Sequence, residues 1–190
     1  EATIQHMASQ FYYGSSNDAK GFPGLVEAVD ASMIVDAGGT TANTGSSVWA
    51  IRWGRKNAIW VWGNNGSLEM NPVTRERVTD GSGNPYTAYC QEILARAGLQ
   101  VGNKYAIGRI RDITEDTGKD LTDDLLSQLL EKFPAGVRPD VFLMSQRSLG
   151  QLRRSRTATN ATGAPAPYPT EAHGVPIQVT DAIVDTEALS

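Results

Sequence analysis

The segment that most restricts the fold is residues 120–133. Leu121, Leu125 and Leu129, with Leu126, Leu130 and Phe133 beside them, form a broad apolar stripe at helical spacing. Asp120 has the chemistry of an N-cap, and Asp123 and Asp124 suit the positive end of a helix dipole. Lys132 suits the negative end, and Pro134 cannot continue the helix. A helix with one apolar side must lay that side on another element. Val141-Phe142-Leu143-Met144 supplies one: a short unbroken apolar run, as in a buried strand. Ser145 then caps a second helix that passes through Leu149 and Leu152 to Arg156. Helix, buried strand and helix in succession require an α+β domain.

Strand signals surround this segment. In residues 48–53, Trp49, Ile51 and Trp53 alternate with Ala50 and Arg52, and residues 58–62 continue in the same style after Gly54-Arg55-Lys56-Asn57. The two runs are predicted to pair as a hairpin, with Trp49, Trp53, Trp60 and Trp62 in the core, an interface being the alternative. Residues 105–113 read as a strand, with Tyr105, Ile107, Arg109 and Arg111 on one face. Val175-Pro176-Ile177-Gln178-Val179 reads as a last strand, at an edge because of Pro176. Ile4, Met7, Ala8 and Phe11 share one helical face that ends at Gly14. No N-cap precedes that helix, which is expected to be the tail of a longer one. Turns are expected at Asn64-Asn65-Gly66 and at Asp80-Gly81-Ser82-Gly83-Asn84-Pro85. Residues 157–173 hold Thr, Asn, Ala and Gly, with Pro165, Pro167 and Pro169 spaced by two, and read as a long exposed loop. Loops beyond about 12–15 residues are usually functional or mobile.

Composition narrows the function. The 190 residues are enough to bury roughly 70% of the unfolded surface without staples. A net charge of −4 and a pI of about 5.2 argue against a nucleic-acid binder that works by bulk positive charge. One cysteine leaves no internal disulfide and no Cys-rich zinc site. No apolar run approaches the roughly 20 residues of a membrane span, and no signal-peptide pattern is present. The first residue is Glu1 and not Met, so a processed product or a cut chain is expected.

Residue-level chemistry is sparse. His6 and His173 lack a second histidine at metal spacing, so no metal is expected. Cys90 with a distant histidine is the only nucleophile pair on offer; a small buried hydrophobe is the plainer reading. Asp36-Ala37-Gly38-Gly39 lacks the lysine and spacing of a phosphate loop and reads as a glycine turn. Asp112, Glu115, Asp116 and Asp120 lack the register of a calcium loop and read as a solvated turn. Asn65-Gly66-Ser67 and Asn160-Ala161-Thr162 match the glycosylation sequon, which recurs by chance. Arg147, Arg153, Arg154 and Arg156 crowd one stretch, either as a helix end that favours positive charge or as a contact for an acidic partner.

Several short segments, taken in order, carry more. Phe11-Tyr12-Tyr13-Gly14 precedes Phe22-Pro23-Gly24-Leu25; Ile34-Val35-Asp36-Ala37-Gly38-Gly39-Thr40 precedes Ser47-Val48-Trp49-Ala50-Ile51-Arg52-Trp53-Gly54. Phe142-Leu143-Met144-Ser145 opens a helix, and Gly174-Val175-Pro176-Ile177 leads to Val179-Thr180-Asp181-Ala182. This series resembles the major capsid proteins of tailed bacteriophages with the Hong Kong 97-like fold, over nearly the whole chain. None of the segments is a rigid motif; their order and spacing make the resemblance.

The resemblance implies an axial domain with a central β-sheet and flanking helices, plus part of the peripheral domain. Residues 1–32 would end the long spine helix and leave a peripheral remnant, residues 33–173 would be the axial domain, and residues 174–190 would return to the periphery. It also implies strands across residues 86–99, although Tyr86, Tyr89, Cys90, Ile93, Leu94 and Ala97 fit helical spacing. The family's N-terminal arm and extended loop are not in the sequence, as expected of a truncated chain. The implied function is a structural subunit, not an enzyme and without cofactor. It would assemble with itself into pentameric and hexameric capsomers, with packaged DNA held non-specifically at the inner face. Scaffold or decoration proteins are possible partners, no membrane is involved, and the protein would be made in the host bacterial cytoplasm and reside in the virion. Arg153, Arg154, Arg156, Asn160, Pro165, Pro167, Tyr168 and Pro169 are the residues expected to meet neighbouring copies. A bacterial compartment shell of the encapsulin kind and a small hydrolase using Cys90 are the alternatives.

Overall fold

The computed structural model describes residues 2–63, 69–94 and 96–189. The elements in chain order are α1 (Ala2–Tyr13), α2 (Leu25–Ala28), β1 (Ile34–Asp36), β2 (Ser46–Ile51), β3 (Ala58–Trp62), β4 (Glu69–Met70), β5 (Thr74–Thr79), β6 (Pro85–Cys90), β7 (Ile93–Leu94), β8 (Ala97–Val101), β9 (Ile107–Ile113), α3 (Asp123–Glu131), β10 (Val141–Met144), α4 (Gln146–Ala158), β11 (Glu171–Ala172) and β12 (Val175–Val179). They divide into two compact units, residues 1–59 with 99–190, and residues 60–98.

The larger unit is built on a six-stranded mixed sheet in the order β1-β9-β2-β10-β12-β11. Val48 lies opposite Ile110, and Ala50 lies opposite both Gly108 and Phe142. Val48, Ala50, Ile110, Phe142 and Met144 therefore share one face and pack with Leu126, Leu129 and Phe133 of the α3 segment and Leu149 and Leu152 of α4. Gly108 makes that packing possible. A β-carbon there would sit 2.9 Å from Leu129 Cδ1, so its absence lets α3 come down onto the sheet. Ser145 caps α4 as expected, accepting from Ser148 N. The cap of α3 is Thr122 and not Asp120: Thr122 Oγ1 accepts from Leu125 N at 3.3 Å. Asp120 is drawn outside the helix because Leu121 is fully buried and its N–H donates to the buried Gln151 side chain at 3.2 Å.

The opposite face holds a charged cluster. Arg109 is 8% exposed and Glu187 9% exposed, and Arg109 Nη2 lies 3.1 Å from Glu187 Oε2. Arg109 Nε donates to Ser47 Oγ at 3.0 Å, and its guanidinium lies 5.1 Å from the Trp49 ring centroid. Tyr13 donates to Glu187 Oε1 at 2.7 Å and accepts from Val184 N at 2.9 Å. Burial, and then the Glu187 charge beside it, push the Tyr13 hydroxyl far above its usual range. This cluster joins α1, β2, β9 and the C-terminal segment.

Two expectations for the tryptophan region fail. β2 and β3 do not form a hairpin, because both edges of β2 are taken by β9 and β10; β3 pairs with β8 instead. Gly54-Arg55-Lys56-Asn57 turns the chain only at its base, where Ala58 N donates to Arg52 O. Of the four tryptophans only Trp49 is fully buried; Trp53 is 38% exposed against Phe11, and Trp62 is 54% exposed beside Trp60. Pro176 also sits one strand in from the edge, beside the two-residue β11. The Ile34–Asp36 segment is strand, parallel to β9.

The smaller unit is β throughout its described residues. β5 and β6 pair in register from Thr74 with Cys90 to Thr79 with Pro85. Asp80 organises the turn between them, accepting from Ser82 N at 2.9 Å and Asn84 N at 2.8 Å. The strand expectation for residues 86–99 thus prevails over helical spacing, since the Asp80 turn delivers residues 85–90 directly onto β5. β4 pairs with β7. Asn64-Asn65-Gly66 and the first sequon lie outside the described residues. Among the described residues no helix is long and apolar enough to cross a membrane.

Candidate self-association surface

The residues expected to meet neighbouring copies lie on the last two turns of α4 and on residues 159–170. α4 runs to Ala158, past the expected Arg156, and the following loop is only partly exposed: Ala166 is 9% exposed and Pro169 is buried. Arg153 holds the loop in place. Its Nε donates to Ala166 O at 2.8 Å, and its guanidinium carbon lies 4.5 Å from the Tyr168 ring centroid. Thr157, which sequence reasoning passed over, completes the clasp: its hydroxyl donates to Arg153 O at 2.9 Å and accepts from Ala166 N at 3.0 Å. An i, i+4 step from Arg153 to Thr157 was the available signal.

The loop tip folds on Asn160. Its Oδ1 accepts from Thr162 N at 3.2 Å, and its Nδ2 donates to Ala164 O at 2.9 Å. Pro165 and Pro167 are exposed, and Tyr168 is 56% exposed. Tyr168 walls two depressions. One, of about 510 Å³, is lined by Gly150, Arg153, Arg154, Thr157, Pro165 and Tyr168. The other, of about 360 Å³, includes Pro167, Pro169 and His173.

The four arginines part company. Arg156 makes a bidentate pair with Asp123 at 2.6 and 2.7 Å and so ties α4 to α3. Its hydrogen bonds hold the Asp123 carboxyl below the usual range, and Asp123 in turn raises the arginine. Arg147 donates to Thr44 O at 2.7 Å and Asp185 O at 3.1 Å, which is an internal tie. Arg153 is half-buried in the clasp. Of the four, Arg154 is thus the exposed one that makes no ion pair among the described residues. His173 and Gly174 both have positive φ, 52° and 75°, and form the two-residue turn between β11 and β12.

The lone cysteine and the two histidines each have separate surroundings. Cys90 is half-buried at the end of β6, His6 faces Asp18 at 3.7 Å, and His173 Nε2 lies 3.1 Å from Asp123 O. Among the described residues no cluster of His, Cys, Asp and Glu could hold a metal ion. The acidic stretch is more than a solvated turn. Asp112 is 5% exposed, and Asp116 accepts from Thr41 Oγ1 at 2.5 Å, Thr40 N at 2.8 Å, Thr41 N at 3.0 Å and Thr114 Oγ1 at 2.9 Å. Asp116 thereby pins the loop after β1, and those hydrogen bonds hold its carboxyl far below the usual range.

The sheet with its flanking helices is the architecture of a phage shell protein. In the near-atomic cryo-electron-microscopy structure of bacteriophage Epsilon15, one chain has a similar fold: TM-score 0.52, 18% sequence identity, 83% of this chain covered and 53% of that chain. This chain thus spans about half the length of its solved counterpart. The family model described as major capsid protein GP7 matches residues 1–190, and the chain belongs to that family. No curated protein matches it.

Proposed function

We propose that the chain is part of the structural subunit of a phage capsid, a protein that acts by shape and repeated self-association and carries out no catalysis. The observation that carries this reading is the family match over residues 1–190. It favours a genome-enclosing shell over an enzyme-loaded compartment. In this reading the axial domain is residues 33–173, and residues 1–32 with 174–190 supply the peripheral part. The bonds from Tyr13 to Glu187 and Val184 support grouping the two ends. The protein is made in the host bacterial cytoplasm and resides in the virion, with packaged DNA against the inner face and scaffold or decoration proteins as further partners.

The loop of residues 159–170, with Arg153, Arg154 and Tyr168, meets its copies around the five- and six-fold capsomer axes. Its internal clasp and its prolines pre-order it, which lowers the entropy lost on docking. Deleting the loop would also remove the buried Ala166 and Pro169, so a surface change is the cleaner test. Arg154→Glu with Tyr168→Ala in the full-length protein is expected to abolish or strongly reduce shells seen by electron microscopy. Shells in wild-type yield would overturn the assignment of this loop.

A further inference from the structure

The β5–β6 ribbon has two unlike faces. Its register sets Arg75 opposite Tyr89, Arg77 opposite Thr87 and Thr79 opposite Pro85, so these six side chains share one face. Thr74, Glu76, Val78, Tyr86, Ala88 and Cys90 lie on the other. All six of the first set are exposed, whereas the second face alternates exposed Thr74, Glu76 and Tyr86 with half-buried Val78, Ala88 and Cys90. The exposed face carries two guanidinium groups and no carboxylate. Arg75 is already positioned: its Nη2 donates to the Tyr89 hydroxyl at 3.0 Å, and its guanidinium carbon lies 5.2 Å from that ring centroid. Arg77 makes no ion pair among the described residues. The same unit exposes Val61, Trp62, Met70, Val73 and Tyr86. Two-stranded ribbons are marginal in water, and Arg and Tyr are the residues that protein interfaces favour.

We propose that this face docks on the acidic surface at the start of α3 in a second copy of the chain. Residues 112–124 carry six carboxylates against Lys119. Three of the six are satisfied internally: Asp112 lies 3.5 Å from Arg111, Asp116 holds Thr40 and Thr41, and Asp123 holds Arg156. Glu115, Asp120 and Asp124 make no ion pair among the described residues, Asp124 accepting only from Gln128 Nε2 at 2.8 Å, and Glu115 and Asp124 are exposed. The basic ribbon and the acidic surface are different patches of one chain, so each copy offers one to the next and the contact is heterologous, the kind that generates rings and extended arrays. Nucleic acid is the poorer match. Two cations release few counterions, and residues 74–92 as a whole carry three carboxylates, Glu76, Asp80 and Glu92. The proposal rests on the capsid reading and adds an interface separate from the loop of residues 159–170.

The test compares self-association of the wild-type chain and Arg75→Glu/Arg77→Glu by sedimentation velocity over a concentration series. Association should weaken about tenfold or more, as for close interfacial charge pairs, with the thermal transition unchanged. Glu115→Lys/Asp120→Lys/Asp124→Lys should weaken it comparably, and mixing the two variants should restore association between them. Wild-type association in the arginine variant, no recovery in the mixture, or a wild-type chain that stays monomeric throughout overturns the proposal. So does an arginine variant that loses only its binding to a short DNA duplex, which assigns the face to nucleic acid. Any of these outcomes leaves the capsid reading in place; that reading falls on its own if purified virions lack this protein.

Discussion

β9 and β5 both set two arginines on one face of a strand, and the two strands resolve those charges differently. In β9, Arg109 is buried against Glu187 and Arg111 pairs with Asp36 at 2.8 Å. In β5, among the described residues, Arg75 is held by the Tyr89 hydroxyl and ring and Arg77 has no ion partner. The central sheet satisfies its charges from within the chain. The smaller β unit leaves them exposed, together with apolar side chains such as Met70 and Tyr86. One sequence thus contains a region whose stability is its own and a region whose exposed groups suit a partner.

The largest expected effect lies in the sheet. Phe142 is fully buried in β10, and Phe142→Ala should cost about 3–5 kcal/mol in urea unfolding. Met70→Ala in the smaller unit, where the side chain is 59% exposed, should stay within about 0.5 kcal/mol. Equal costs would break the contrast. Next comes Glu187→Ala, which leaves Arg109 buried and unpaired and should cost about 3 kcal/mol by the same measurement. The double replacement Arg109→Met/Glu187→Leu should recover much of that loss, because the penalty is an uncompensated charge and not a missing attraction. Arg75→Ala, by comparison, should leave the unfolding midpoint nearly unchanged.

A smaller effect sharpens the description of α3. Thr122→Ala should cost about 1 kcal/mol as a lost N-cap, and Asp120→Ala clearly less; the reverse order would restore Asp120 as the cap.

The smallest expected effect concerns the loop that Asp116 holds. Hydrogen bonds from Thr41, Thr40 and Thr114 depress the Asp116 carboxyl in the folded chain. A depressed carboxylate stabilises the fold fully above its unfolded pKa of about 3.9 and loses that contribution as pH falls below it toward the folded value. Amide protection at Thr40 and Thr41 should therefore hold steady above about pH 5 and decline in stronger acid. Asp116→Asn should reduce protection at neutral pH and flatten the decline; an unchanged profile would show that the clamp does not hold this loop.

Much of the larger unit was legible. The stripe from Leu121 to Phe133, the apolar run of β10 and the Ser145 cap are local signals, and each appears where its periodicity places it. The residues expected to meet neighbouring copies were legible only as a basic and proline-rich stretch. Which arginine stays open was not, because Asp123 lies 33 positions from Arg156 and Ala166 lies 13 from Arg153. Nothing local marked Arg109 as the buried member of the pair Arg109 and Arg111, which share one face of β9. Nor was its partner legible, 78 positions away.

By itself the sequence determined the helices and strands whose apolar spacing repeats over neighbouring residues, and the order of segments that resembles a phage capsid protein. Tertiary structure alone decided that β2 would pair with β9 and β10 instead of β3, that Trp49 would be buried while Trp62 stayed exposed, and which charges would be used internally. The reason is physical. Local spacing selects a helix or a strand within a few residues, whereas strand partners and ion pairs depend on which edges and which carboxylates the rest of the chain brings within reach.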